Sequence, residues 1–299
     1  AVETAIKAAR KWAYTVKGVK PNAAEIISCE GNFHGRTLAI VGMSTEPQYR
    51  EGFGPFPAGF RRIPYGDADA LEAAITPNTA AFMVEPIQGE GGIVVPPAGF
   101  LSRAAEICRR HNVLLIADEI QTGLGRTGKL LAVQHDCVQP DGLILGKALG
   151  GGILPVSLFL ARDDVMEVFR PGDHGSTFGG NPLAAAVGLV ALDLLVDEGL
   201  IERSAELGAH LSARLREISS PLIKDIRGKG LFIGLEIEPA LAPAREVCKR
   251  LLKRGILSKE THHTVVRLAP PLVVSREAID WAADQIRDVL SEMELAKAS

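Results

Sequence analysis

The chain lacks most of the features that announce the commoner specialised functions. Its 299 residues hold only four cysteines, at 29, 108, 137 and 248, with no Cys-x-x-Cys. That scatter fits a reducing compartment, so a cytoplasmic location and no structural metal site are expected. There is no excess of one charge: 33 Lys and Arg face 36 Asp and Glu, a net charge of −3. Such a balance gives no electrostatic footprint for nucleic acid or another polyanion. No apolar run approaches the length of a membrane span, and there are no internal repeats or low-complexity tracts. An initiator Met is missing as well. AVETAIKAARKWAYTVKG starts directly as an amphipathic helix, with Val2, Ala5, Ile6, Ala9, Trp12, Ala13 and Val16 near the helical period and no capping residue ahead of it. A helix entered midway leads us to expect the later part of a longer protein, which leaves a targeting segment upstream open.

What is present is an ordinary globular composition, 46% hydrophobic and 23% charged, long enough for two domains. Glu25–Cys29, Ala80–Val84, Val113–Ala117, Gly142–Leu145 and Val156–Ala161 read as strands, several of them apolar throughout. Helical stretches over Asp67–Ile75 and Gly99–His111 alternate with them, and Thr45–Gly66 reads as an irregular excursion. Alternation of apolar strands with helices predicts an α/β fold, a mostly parallel sheet with helices on both faces. Leu183–Leu195, capped by Asn181-Pro182, is apolar nearly all round and is expected to be buried. Beyond about Leu200 the texture changes. Helices at Ile201–Ile218, Ala244–Arg254 and Arg276–Met293, a strand pair around Ile226–Ile237 and a strand at Val265–Leu268 predict a smaller α+β domain. The expected division is 1–199 and 200–299.

In parallel sheets ligands sit outside the carboxyl ends of the strands, and the polar residues of this chain gather there. They are Phe33–Arg36, Glu85–Glu90, Asp118–Gln121 and Lys147. Lys147 stands at the mouth of an apolar strand, before the glycines at 150–152. Taken alone it reads as a surface lysine; if desolvated, it would be paired, deprotonated or covalently used. Asp118 follows VLLIA directly and reads either as a helix cap or as a carboxylate aimed at a bound cation. Together, an amine and a carboxylate at neighbouring strand ends suit pyridoxal phosphate. The carboxylate would keep the ring nitrogen protonated, and the lysine would carry the cofactor and shuttle protons.

Other residues carry two readings each. Ser176 and Thr177 lie in a glycine-rich loop before a capped helix, suited to a phosphate or to simple helix entry. Phe33 stacks on a planar ligand or packs under its own loop. Arg36 and Arg267 are the arginines best placed for carboxylates, and Arg267 interrupts an apolar strand before a double proline. Glu85 and Glu90 form an acid–base pair or, more simply, countercharges to an arginine or to a substrate ammonium group. Gly123–Lys129, GLGRTGK, mimics two nucleotide motifs. However, position 130 is Leu where a magnesium-binding Ser/Thr would stand, and no acidic residue ends a second strand about twenty positions on. A nucleotide-binding protein is thus the rival of a different class. A non-catalytic binding module is a third reading, disfavoured by the joint presence of Lys147 and Asp118.

Taken together, NFHGRT (32–37), EPIQGEGG (85–92), ADEIQTGLGRTGK (117–129), LGKALGGG (145–152), HGSTFGGNP (174–182), IRGKGLFIGLE (226–236) and RLAPPLV (267–273) resemble the fold-type I, class III aminotransferases over nearly the whole chain. ARKWAYTVKGVK, EGFGPFPAGFRRIPYGD and KETHHTVVRLAPPLVV are most similar to the ornithine-acting branch, with the acetylornithine-acting branch as the confusable neighbour. The resemblance implies pyridoxal 5'-phosphate as cofactor, Lys147 as its covalent lysine, and Asp118 at the ring nitrogen. It places Gln121 at the ring hydroxyl, and Phe33 and Ile120 on the two ring faces. It implies a homodimer, with Ser176 and Thr177 at the phosphate of the neighbouring subunit's cofactor. Amino acids and oxo acids would be the substrates, with Arg36 on a distal carboxylate and Glu90–Arg267 as a switchable ion pair. The family's phosphate loop, which precedes the helix starting at Ala1, is absent from these residues.

Overall fold

The computed structural model describes residues 1–298, which form two compact units. The first comprises residues 1–86, 96–121 and 132–193; the second comprises 87–95, 122–131 and 194–298.

The first unit is built on a six-stranded sheet of β1 (Glu25–Cys29), β2 (Phe60–Ile63), β3 (Thr79–Val84), β4 (Leu114–Asp118), β5 (Gly142–Leu145) and β6 (Leu158–Ala161), ordered β2-β1-β3-β4-β5-β6. The pairings from β2 through β5 are parallel, and β6 closes the edge antiparallel to β5. The strands are apolar throughout because both faces are covered. On β3, Ala81 and Met83 point into one core while Phe82 and Val84 point into the other; on β4, Leu114 and Ile116 oppose Leu115 in the same way. The helix Val2–Trp12 supplies the first core with Ala5, Ile6, Ala9 and Trp12. The helices Ala68–Ala74 and Phe100–Arg110 supply the second with Leu71, Leu101, Ala104 and Ile107. Each fully buried Leu, Ile, Met or Phe side chain contributes about 1.5–3 kcal/mol.

Two expectations about this unit need correction. The stretch read as irregular contains β2, an edge strand whose Arg61 and Arg62 are exposed. An edge strand with one wet face needs no apolar run. The apolar helix, which runs Pro182–Asp197, is not buried: Leu183 and Leu189 are each 63% exposed and Val190 is also open. Asn181 does cap it, accepting from the Ala184 amide at 2.9 Å.

The second unit holds an antiparallel sheet of β7 (Ile223–Lys229), β8 (Phe232–Ile237), β9 (Lys259–Thr261) and β10 (Val265–Leu268), ordered β7-β8-β10-β9. Helices Leu200–Arg216, Ala244–Lys253 and Arg276–Ala298 share its core, with Leu207, Leu211 and Leu215 at four-residue spacing along one helix face. GLGRTGK belongs to this unit and is packed shut. A Cβ on Gly128 (φ +83°) would lie 2.8 Å from Ala205, and one on Gly125 would lie 3.2 Å from Leu272. Arg126 donates to the carbonyls of Leu231 and Pro270 at 2.9 and 2.6 Å. The space a nucleotide phosphate would need is filled by the protein's own chain. Among the described residues no helix is long and apolar enough to cross a membrane.

Candidate active site

In the first unit, the loops after β1, β3, β4 and β5 leave the same carboxyl edge of the sheet, because those strands are parallel neighbours. Asp118 ends β4 and stands in register with Ile144 of β5. The Glu119 amide then donates to the Ile144 carbonyl at 2.9 Å, so the two chains are still joined where they leave the sheet. Lys147 follows three residues later. It is exposed rather than desolvated, since Gly146 carries the chain out in an extended conformation before a short 3-10 turn. Its φ of +46° is unusual for a residue with a side chain. Such backbone strain costs about 1–3 kcal/mol and is concentrated at functional positions.

Asp118 is buried and does not cap a helix. Its Oδ1 accepts from the Ile120 amide at 3.1 Å, and its Oδ2 lies 2.7 Å from His34 Nδ1. The pair is sealed, with side-chain exposures of 3% and 0%. Burial opposes protonation of His34, yet the hydrogen bond and charge of Asp118, aided by Glu85, outweigh it and raise the imidazole pKa. His34 Nε2 is buried without a hydrogen-bond partner. Glu85, also buried, accepts from the Phe33 amide at 2.9 Å and so ties the β1 loop to the end of β3. Tyr65 reinforces that end by donating to the carbonyls of Glu85 and Pro86 at 3.0 and 2.9 Å.

Phe33 is half-buried and meets Tyr49 edge-on at 5.9 Å. Arg36 is exposed, its guanidinium 3.6 Å from the Tyr49 ring centre and 5.4 Å from that of Phe33. Among the described residues no carboxylate pairs with Arg36, which lines a cavity of about 470 Å³ with Leu38, Val41, Tyr49 and Phe53. Stacking holds the cation in place and leaves its planar fork for an anion from outside. Ile120 is half-buried, and a Cβ on Gly146 would meet its side chain at 3.4 Å. Gln121 follows it, half-buried too. Ser176 and Thr177 stand in a run, 171–180, that is exposed throughout; the Ser176 hydroxyl accepts from the Gly179 amide at 3.1 Å.

In the second unit, residues 88–94 form a tight loop in which Gln88 and Val94 exchange backbone hydrogen bonds at 3.1 and 2.9 Å. Arg227 clamps it, donating to the carbonyl of Gly92 at 2.7 Å and of Ile93 at 3.0 Å, while Glu236 holds Arg227 from behind. Glu90 projects from this loop. Its Oε1 accepts from Arg267 Nη1 at 2.6 Å and its Oε2 from Lys259 Nζ at 2.9 Å. Burial pushes the Glu90 carboxyl up, but the two cations outweigh that and hold its pKa below the usual range. Glu90 thus stands as countercharge to an arginine, one of the readings of this pair, while Glu85 accepts from an amide.

The three buried cysteines are poor candidates for thiolate chemistry. Burial pushes the Cys108 thiol up to about 12, and Cys29 and Cys248 are raised by burial as well. His34, Tyr49, Lys259 and Arg227 had not been singled out from the sequence. His34 is a polar residue within the glycine-bracketed loop after β1, and Arg227 and Lys259 lie within the family-like stretches 226–236 and 259–274, but no spacing marks their roles.

Residues 1–290 match the family model described as Aminotransferase class-III. The chain is 59% identical over 290 residues to the ornithine aminotransferase of Brevibacillus brevis, covering 97% of this chain and 72% of that protein. An ornithine aminotransferase structure from Toxoplasma gondii superposes with a TM-score of 0.97 at 49% identity, over 99% of this chain and 71% of that one. The acetylornithine aminotransferase of Elizabethkingia anophelis gives a TM-score of 0.85 at 50% identity, over 97% and 73% of the two chains. With a family model matched over residues 1–290, the chain belongs to the class-III aminotransferases.

Proposed function

We propose that the chain transfers the δ-amino group of ornithine to 2-oxoglutarate, giving glutamate semialdehyde and glutamate, with pyridoxal 5'-phosphate as cofactor. The observation that carries this reading is the Glu90–Arg267 ion pair, formed at 2.6 Å within a chain 59% identical to an ornithine aminotransferase.

The residues present fit the cofactor. A sealed carboxylate, Asp118, and an exposed amine on a strained turn, Lys147, stand at adjacent strand ends. They are the donor set that a basic ring nitrogen and an aldehyde require. When bound, the cofactor supplies an aldehyde that takes up an amino group and a ring that draws electrons from the bond being broken. Lys147 would carry it and move the proton at the amino-bearing carbon. Asp118, backed by His34, would hold the ring nitrogen protonated. Phe33 and Ile120 would flank the ring, and Gln121 would meet its hydroxyl. Glu85 was expected near a substrate ammonium group; its bond to the Phe33 amide makes it the support of that loop.

Arg36, stacked and without an ion pair among the described residues, is assigned to a distal carboxylate. Arg267 is assigned to an α-carboxylate, with Glu90 as the gate. While Glu90 holds Arg267, an α-carboxylate cannot dock there and the δ-amino group of ornithine reacts; when Glu90 leaves, glutamate or 2-oxoglutarate binds. We assign the cofactor to residues 1–199 and the gating arginine to residues 200–299. The exposed run 171–180, with Phe178 at 79%, and the open apolar helix after it support a homodimer in which Ser176 and Thr177 serve the partner's cofactor phosphate. No nucleic-acid or membrane partner is proposed. Four free cysteines support the cytoplasm.

The test is product analysis with ornithine, N-acetylornithine and 4-aminobutyrate as donors to 2-oxoglutarate. Ornithine should give the highest kcat/KM, with glutamate semialdehyde as product. A preference for N-acetylornithine would move the chain to the other branch, whose structural relative is 50% identical against 49% for the Toxoplasma gondii structure.

A further inference from the structure

β9 and β10 set two cations against each other. Lys259 and Arg267 are Cα partners in the antiparallel register, so both side chains leave the same face of the sheet. Like charges placed directly opposite repel. Glu90 resolves the conflict by bridging them, one oxygen to each. The two contacts are unequal in setting: Arg267 is 20% exposed and Lys259 is 60% exposed. Among the described residues Glu90 is the ion-pair partner of Lys259.

We propose that Lys259 is a positioning residue for substrate selection, retaining the Glu90 carboxylate when Arg267 gives it up to a substrate α-carboxylate. This rests on the reading of Glu90–Arg267 as a gate. On the Glu90 side, opening the gate detaches Oε1 from Arg267 while Oε2 stays on Lys259. The incoming carboxylate then neutralises Arg267, and one carboxylate shared by two cations becomes two separate pairs. Without Lys259, the same opening would leave a half-buried carboxylate without either of these partners, which is costly for a charged group. Lys259 therefore favours the open gate without touching substrate. Its loss should act opposite in sign to the loss of Glu90.

The experiment compares the holoenzyme with its Lys259→Met, Lys259→Arg, Glu90→Ala and Glu90→Ala/Lys259→Met variants. Binding of glutarate, a five-carbon dicarboxylate with no reacting group, is measured by calorimetry, alongside KM and kcat for 2-oxoglutarate. An ion pair this exposed supports an effect of about three- to fivefold. Lys259→Met should weaken glutarate binding and raise KM by that factor with kcat unchanged, and Lys259→Arg should restore both. Glu90→Ala should tighten glutarate, and in that background Lys259→Met should change it by less than about twofold. If Lys259→Met leaves glutarate binding intact while Glu90→Ala tightens it, the proposal is wrong. An effect of Lys259→Met that persists without Glu90 overturns it too, since Lys259 would then meet substrate directly. Glutarate affinity and ornithine regiochemistry both unmoved by Glu90→Ala would instead defeat the gate itself, and the role of Lys259 with it.

Discussion

Removing His34 tests whether the sealed pair under the site is a real energetic unit. His34→Ala would leave the Asp118 carboxylate, whose side chain is 3% exposed, with the Ile120 amide as its remaining hydrogen bond described here. Breaking a fully buried pair costs about 3–5 kcal/mol, and neither member has solvent access that would discount this figure. The retained amide bond argues for the lower end, about 3 kcal/mol, a large share of the 5–15 kcal/mol typical of a domain. The pH dependence has a definite sign. The folded pKa of His34 is raised above its unfolded value of about 6.5, so the linked stability is full below about pH 6.5 and fades as pH rises through the folded value. What survives at high pH is a hydrogen bond from neutral imidazole, worth about 1 kcal/mol. The assay is a double-mutant cycle of His34→Ala and Asp118→Ala by urea unfolding. Trp12 lies in the core beneath the same sheet and reports on this unit once the half-exposed Trp281 is changed to Phe. The coupling should be about 3 kcal/mol near pH 6 and decline toward about 1 kcal/mol as pH rises through the folded value of His34. A coupling below about 0.5 kcal/mol, or one that grows with pH, would refute the reasoning.

Glu90→Ala should lose δ-selectivity, so that ornithine also yields its α-oxo acid; unchanged regiochemistry in a folded variant would remove the gate. The Glu90 carboxyl is depressed, so the stability it contributes should be complete above pH about 4.3 and decline as pH falls through its folded value, a trend absent in Glu90→Ala. Mixed dimers of Thr177→Ala and Lys147→Ala subunits should regain activity that neither parent has, since one site per dimer is then free of both changes. No regain in dimers shown to have formed would argue against shared sites. Gly128→Ala should destabilise the second unit by about 2–4 kcal/mol, from a positive φ and a 2.8 Å approach to Ala205, as read by thermal unfolding. An unchanged melting temperature would show that the loop is not packed as described.

Much of the sheet was legible because a buried parallel strand must be apolar on both faces. β3 and β4 satisfy two cores at once, and their sequences carry that demand openly. Edge strands carry no such demand. β2 exposes Arg61 and Arg62, and β9 is three residues of Lys-Glu-Thr, so neither shows a period to read. The helix Pro182–Asp197 misled for a related reason. An apolar surface records that something covers it, not that the same chain does. In the site, Asp118 and Lys147 could be placed because they sit one and two residues beyond apolar runs. The left-handed backbone of Lys147 leaves no mark in its sequence. His34 reaches Asp118 across 84 residues, and Lys259 reaches Glu90 across 169, so those pairings exist only in the folded chain.

The central claim, that Lys147 carries the cofactor, has a direct measurement. The chain is incubated with pyridoxal phosphate, reduced with borohydride, digested, and the modified peptide is identified by mass spectrometry. The expected result is one dominant label on Lys147, in the peptide spanning the end of β5, and its loss in Lys147→Ala with the fold retained. A label on Lys129 or Lys229, or one that persists undiminished in Lys147→Ala, would contradict it.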